Sequence, residues 1–439
     1  MTQNIDLDWN APHDEEMRLI KTKGLLWAIC CILVIGFVAQ KVLSSVVRGP
    51  QPEVILRNLQ SNSANSVYDK AHISSQLGSA IRANKFPSTV DYKTDGESRK
   101  VVINYAIDPV YQEKMEKLFR LYQPDHGAFV ALDARTGRIL AMVSYEREGA
   151  QAENLALQAT FPAASIFKVV TASAAIDSKK ASAETVVPYN GANHTLYKRN
   201  VADTKVNRWT RKITMREAFS RSVNTFFGKL GLFYVGPEAL MHYAERYQFN
   251  KSIRADIPVE MGLVKLKADD PWSVVQAASG FTLNNTMSPL QGALIAATVA
   301  NDGIMMEPYL VNSLNSESGE KLYEAKAQQE SVIMSPESAA EIRILMRETV
   351  RNGTSRKAFR PVVRKRQFDE VEMGGKTGSL TGLNPKGKCD WFVGYARYHD
   401  QRIAVAALTV NEKKWRVKSS QLASQFLSDY SRQLMKSDP

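Results

Sequence analysis

Cysteine is scarce, at three in 439 residues. Cys30 and Cys31 are neighbours inside an apolar run and Cys389 stands alone, so no disulfide framework follows. Cys389 is expected to be a packed thiol. Histidine is also scarce, at six, and no HExxH or comparable ligand spacing occurs, so neither a metal nor a cofactor is expected. Acidic side chains fall short of basic ones, 45 against 57, which leaves a formal charge of +12. That surplus suits a nucleic acid, an anionic membrane surface or an acidic polymer. There is no zinc-finger spacing, no RNP-like aromatic run and no compact basic arm, which argues against nucleic acid. Internal repeats are absent. With 44% hydrophobic and 23% charged residues the chain is globular. At about 150 residues per domain its length allows two or three domains, or one large and one small.

Long hydrophobic runs are limited to one. GLLWAICCILVIGFVAQ, Gly24 to Gln40, carries no charge, and apolar character resumes after Lys41 as far as Val47. A bilayer span takes about 20 residues, so residues 24–47 are expected to form a transmembrane helix. The preceding segment is long and acidic for a signal peptide, and no A-x-A site follows. Arg18, Lys21 and Lys23 flank its start, which orients residues 1–23 to the cytoplasm and everything later outside. Residues 48–100 are polar, with LQSNSANS and KTDGES, and read as a stalk or short accessory region with one short helix.

From residue 101 to 439 the chain reads as one α/β domain. Val101–Ile107 has strand character, and DPVYQEKMEKLFRLY begins a helix at an Asp-Pro cap. Gly127–Ser144 reads as two strands about a tight turn at Asp133, Thr136 and Gly137. A helix starts at Ser165. Residues 186–285 are helix-rich, and helices follow over 288–303 and 335–353. Strands are expected at Val371–Gly378, Asp390–Tyr398 and Arg402–Val410, and a last amphipathic helix near Ser419–Met435. Two early strands and three late ones predict one mixed or antiparallel five-stranded sheet flanked by helices. The helical middle would form a second lobe, with the ligand cleft between them.

Three short motifs carry chemistry. Ser165 and Lys168 in FPAASIFKVV are one helical turn apart and share a face. At a helix start the serine N–H is free and the dipole favours an oxyanion, while a lysine of lowered pKa takes the hydroxyl proton. The plain alternative is a helix start with a snorkelling lysine. Ser318 and Lys321 in SGEK repeat the spacing in a polar, turn-like stretch. Ser222 and Asn224 in SVN offer a proton-passing hydroxyl and a substrate-binding amide, although Ser222 also suits a helix N-cap. Ser63–Asn65 and Ser313–Asn315 share that spacing in loop-like sequence. GGKTGS, Gly374 to Ser379, puts a cation at Lys376 and hydroxyls at Thr377 and Ser379, with Gly378 allowing a ligand close to the backbone. That set suits a carboxylate. A glycine-rich strand start with a solvated lysine is the alternative.

The ordered set S-x-x-K, S-x-N, K-T-G resembles the penicillin-binding proteins, the transpeptidases of cell-wall synthesis. The resemblance covers about Ile103 to Asp429 and extends to LDARTGRILAMVS, MSPLQGALIAATVANDG and CDWFVGYA. It implies a transpeptidase fold similar to serine β-lactamases. It implies Ser165 as acylated nucleophile and Lys168 as its base, with Ser222 and Asn224 in proton relay and amide binding. Lys376, Thr377, Gly378 and Ser379 would bind the terminal carboxylate of a D-Ala-D-Ala stem peptide, and the N–H groups of Ser165 and Ser379 would form the oxyanion hole. Lys168 would be held uncharged by apolar surroundings and by Lys376. Ser379 and Ala164 stand where many members have threonine and glycine. No glycosyltransferase domain fits residues 48–100, so the likeness is to a monofunctional, membrane-anchored member with an extracytoplasmic catalytic domain. Its implied partners are stem peptides, β-lactams, the bilayer and other cell-wall synthesis proteins such as a glycosyltransferase. The motifs do not separate a transpeptidase from a D,D-carboxypeptidase. A β-lactamase or β-lactam sensor is disfavoured because no E-x-x-L-N pattern occurs, and an idle scaffold because the motifs are intact.

Overall fold

The computed structural model describes residues 68–94, 97–148, 153–202 and 206–437. The expected tail and membrane span at residues 1–47 lie outside them. Among the described residues no helix is long and apolar enough to cross a membrane.

Five strands form the central sheet. They are β3 (His126–Asp133), β4 (Ile139–Glu146), β7 (Glu372–Leu383), β8 (Lys386–Tyr398) and β9 (Gln401–Asn411), in the order β7-β8-β9-β3-β4. Every pairing is antiparallel, so the mixed alternative is corrected. Early and late strands meet at β3 and β9, where Val130 faces Ala406. The late strands extend beyond their expected ends, and Lys-Thr-Gly lies inside β7 rather than at a strand start. The sheet is buried on both faces, which explains its near-continuous apolar strands. On one face Val130, Val393 and Ala406 pack under α7 (Pro289–Ala300), every residue of which is buried. On the other, Phe129, Phe392 and Ala407 pack under α10 (Ser419–Ser437), chiefly through Leu422 and Phe426.

The helical lobe supplies α3 (Lys168–Asp177), α4 (Met215–Ser220), α5 (Asn224–Lys229) and α6 (Pro271–Ser279). Two later helices, α8 (Pro336–Arg351) and α9 (Arg356–Val363), return the chain to the sheet. Asp302 pins this return. Its carboxylate lies 2.7 Å from Arg343 of α8 and 2.7 Å from Arg402 of β9.

Residues 68–105, expected in large part as a stalk, hold α1 (Lys70–Arg82) and the hairpin β1 (Thr89–Thr94) and β2 (Glu97–Tyr105). The hairpin is completed by β5 (Val311–Ser316) and β6 (Lys321–Glu324) into a four-stranded sheet, order β1-β2-β5-β6. Ile73, Leu77 and Tyr92 share the main core with Val311 and Leu314.

Asp256 secures the start of β5. Fully buried, it accepts from Leu310 N–H at 2.8 Å and Val311 N–H at 2.7 Å. Burial outweighs these bonds and pushes its carboxyl up to about 6. Folding therefore favours the protonated form, and its contribution to stability falls as pH rises from the ordinary carboxylate range through about 6. Asp256→Ala, which strands two buried N–H groups, is expected to cost about 3 kcal/mol in urea unfolding. Asp256→Asn should flatten the stability slope between pH 4 and 6. An unchanged slope refutes the burial account.

Candidate active site

Ser165 opens a short 3-10 turn, Ala164–Phe167, that runs directly into α3. The turn is entered through Ala164 with φ +48°, a left-handed value uncommon for a side chain. Gly280, at the end of α6, sits against this backbone with φ +66°, and a Cβ there would strike the Ala164 carbonyl. The preceding segment is fixed by Trp391, whose indole N–H donates to the Pro162 carbonyl at 2.9 Å.

Lys168 is wholly buried. Its Nζ lies 2.7 Å from Ser165 Oγ, 2.8 Å from Asn224 Oδ1 and 2.6 Å from the Ser279 carbonyl. The last two atoms only accept. A neutral amine has two N–H groups and one lone pair. In that form both hydrogens can go to the carbonyl oxygens, which leaves the lone pair for the serine hydroxyl; an ammonium would donate to all three oxygens. The orientation of Asn224 is fixed in turn, because its Nδ2 donates to the His194 carbonyl at 2.9 Å and its backbone N–H to Asn193 at 2.7 Å.

Ser222 is not the N-cap of α5. Val223 occupies that position, and Ser222 lies in the turn before it with φ +57°. The turn aims its hydroxyl at Lys376, whose Nζ donates to Ser222 Oγ at 3.0 Å and to the Thr377 carbonyl at 2.8 Å. Lys376 is fully buried, not solvated. Along β7, Lys376 and Gly378 pair with Val393 and Trp391, and so face the helical lobe. A Cβ on Gly378 would stand 3.2 Å from Ser165 N, so glycine permits β7 this close. Thr377 alternates to the other face and bonds Thr354 Oγ1 at 2.5 Å. Ser379 is exposed on the cleft.

All eight expected site residues therefore gather around one cleft. Ser318 and Lys321 do not join it. Ser318 bonds Ser316, and Lys321 pairs with Glu324 on β6. Ser313 bonds Asn104 in the four-stranded sheet, and Ser63–Asn65 lie outside the described residues. Cys389 is buried in β8 with its thiol pushed up to about 12 by burial, an inert packed group. His194, Ser279, Gly280 and Thr354 were not read from the sequence. Asn193 and His194 act on Asn224 through their carbonyls, and Ser279 acts on Lys168 in the same way, so none follows a side-chain motif.

A model of the penicillin-binding protein transpeptidase domain matches residues 127–430. The chain belongs to this family. The peptidoglycan D,D-transpeptidase PbpA of Mycobacterium tuberculosis is 27% identical over 355 residues, 73% of this chain and 70% of that protein. The structure of penicillin-binding protein A from M. tuberculosis as a penicillin G acyl-enzyme complex superposes with a TM-score of 0.59 at 26% identity, covering 77% of this chain and 82% of that one. The D,D-transpeptidase domain of a peptidoglycan glycosyltransferase from Eggerthella lenta gives a TM-score of 0.64 at 24% identity, covering 84% and 91%, a likeness of fold.

Two amines share the family's cleft here. Burial, and then the nearby Lys376, hold Lys168 well below the usual lysine range. Burial alone pushes Lys376 down to about 7. Lys168 thus feels both burial and a neighbouring charge, and Lys376 burial alone.

Two outcomes follow. Removing a neighbouring positive charge raises an amine pKa, so Lys376→Ala should move the acid limb of the pH profile for penicillin acylation to higher pH. An unmoved midpoint excludes the electrostatic coupling. Gly280→Ala should displace the Ala164 carbonyl and slow acylation at least tenfold while Lys168 keeps its partners. Acylation at the wild-type rate would show that the close approach is dispensable.

Proposed function

We propose that this chain is a peptidoglycan D,D-transpeptidase, acylated on Ser165 by D-Ala-D-Ala stem peptides and by penicillin. The observation that carries this reading is Lys168 Nζ held 2.7 Å from Ser165 Oγ, with Asn224 Oδ1 and the Ser279 carbonyl as its other two partners. Lys168 takes the hydroxyl proton as Oγ attacks the penultimate D-Ala carbonyl. The N–H groups of Ser165 and Ser379 receive the oxyanion, with Gly378 allowing β7 to close on Ser165. Ser222, bonded to Lys376, carries a proton to the departing amine. Lys376, Thr377 and Ser379 grip the terminal carboxylate, and Asn224 binds the substrate amide as well as orienting Lys168.

Transfer is favoured over β-lactam hydrolysis because no glutamate lines the cleft among the described residues. A D,D-carboxypeptidase would share every step to the acyl-enzyme and differ only in letting water finish. We further propose residues 24–47 as a single membrane anchor with a cytoplasmic N-terminus, residues 48–100 as a short accessory region and residues 101–439 as the catalytic domain. That places catalysis on the outer face of a bacterial cytoplasmic membrane, beside other cell-wall synthesis proteins.

The purified full chain should become covalently labelled by a fluorescent penicillin, and Ser165→Ala should abolish labelling. Labelling that survives the substitution ends the proposal. D-Ala release from a D-Ala-D-Ala peptide should yield an amide product when an amine acceptor is added. Release that yields only the hydrolysed peptide assigns a carboxypeptidase.

A further inference from the structure

The cleft continues past Ser379. It has a volume of about 1020 Å³, turns around the edge strand β7 and runs between α9 and α10, where Lys357, Lys365 and Arg432 line it. Arg432 is already occupied by Asp429, which also pairs with Lys114. Lys357 and Lys365 are different. Both are exposed, and among the described residues neither has a carboxylate in ion-pair reach. Lys357 and Pro361 are one turn apart on α9, and Lys365 lines the same cleft from the extended segment just past the helix end. Phe359, which stacks on Phe392, buries the side of that helix toward the sheet. The segment Arg356–Arg366 also holds Arg360 and Arg364 and contains no acid.

Chemistry fixes which substrate this branch meets. The leaving D-Ala is held by its carboxylate at Thr377 and Ser379, so its amine departs on that side of the acyl carbonyl. The acceptor amine must reach the same carbon along the same line. Beyond Thr377 and Ser379 lies the cationic branch. We propose that Lys357 and Lys365 bind the carboxylates of the amine-bearing peptide that accepts the acyl group. The proposal rests on Ser165 being the acylated nucleophile. The acceptor amine attacks the Ser165 ester, the new C–N bond forms, the C–O bond to Oγ breaks, and the amine proton returns through Lys168 to the serine. The branch contributes position, not protons.

The test lets two acceptors compete for one acyl-enzyme, so the product ratio is independent of how fast that intermediate forms. The full chain is given an N-acylated L-Lys-D-Ala-D-Ala donor. The acceptors are N-acetyl-L-Ala-γ-D-Glu-L-Lys with both carboxylates free and its doubly amidated form, in equal amounts. Two exposed charge contacts predict a preference for the free acid on the order of tenfold. K357E/K365E should abolish or invert it. In the unaltered chain 0.5 M salt, about a 4 Å screening length, should reduce it in the same direction, which keeps the test valid if the double variant folds poorly. A preference that ignores both changes, or none at all in the wild type, overturns the proposal. Loss of binding to phosphatidylglycerol vesicles in the double variant with acceptor choice intact assigns the lysines to a lipid surface and also overturns it. If the wild type forms no acyl-enzyme, the transpeptidase reading itself falls. A normal acyl-enzyme with unselective transfer refutes only the role of the branch.

Discussion

Two lysine side chains are buried in one site with no carboxylate bonded to either. In water both would be charged and would repel each other; here burial makes the charged state costly for each. The site resolves the conflict unequally. Lys168 meets two carbonyl oxygens and the Ser165 hydroxyl and feels the charge of Lys376 besides its burial, and Lys376 faces a hydroxyl and a backbone carbonyl. The lowered pKa of Lys168 therefore has two causes and that of Lys376 one. Everything else in the domain serves to hold those two nitrogens in place without a counter-ion.

The supports come from separate layers of the fold. Lys376 is carried by an edge strand whose neighbour also secures Pro162, just ahead of Ser165. Lys168 belongs to the helical lobe, and its acceptors come from α5 and the end of α6. Left-handed backbone at Ala164 and Ser222 marks where the chain is bent to aim a hydroxyl at each amine. Such conformations persist only when surrounding packing over-determines them, as the close contacts of Gly280 and Gly378 illustrate.

Much of this is legible in the sequence because side-chain chemistry at short spacing is local information. Ser165 with Lys168, Ser222 with Asn224, and Lys376 with Thr377, Gly378 and Ser379 are readable as three sets, and the long apolar strands and their helices are readable from periodicity. What the sequence hides is supplied by the backbone or by distant pairing. The Ser279 and His194 carbonyls have no residue-type signature. The left-handed turn at Ser222 resembles an ordinary cap in writing. Residues 89–100 read as polar tether because the strands that complete their sheet, β5 and β6, arrive only after residue 310.

The pairing of β3 with β9 has a bearing on biosynthesis. Ser165 leaves the ribosome well before the strand that carries Lys376, and β3 has no partner on that side until β9 has emerged. Loop closure over such a distance is slow and comes late in folding. A chain cut short before β7 thus carries Ser165, Lys168 and Asn224 but lacks Lys376. The cluster around Lys168 is thus encoded within the first two thirds of the chain, and its contact with Lys376 only in the last third.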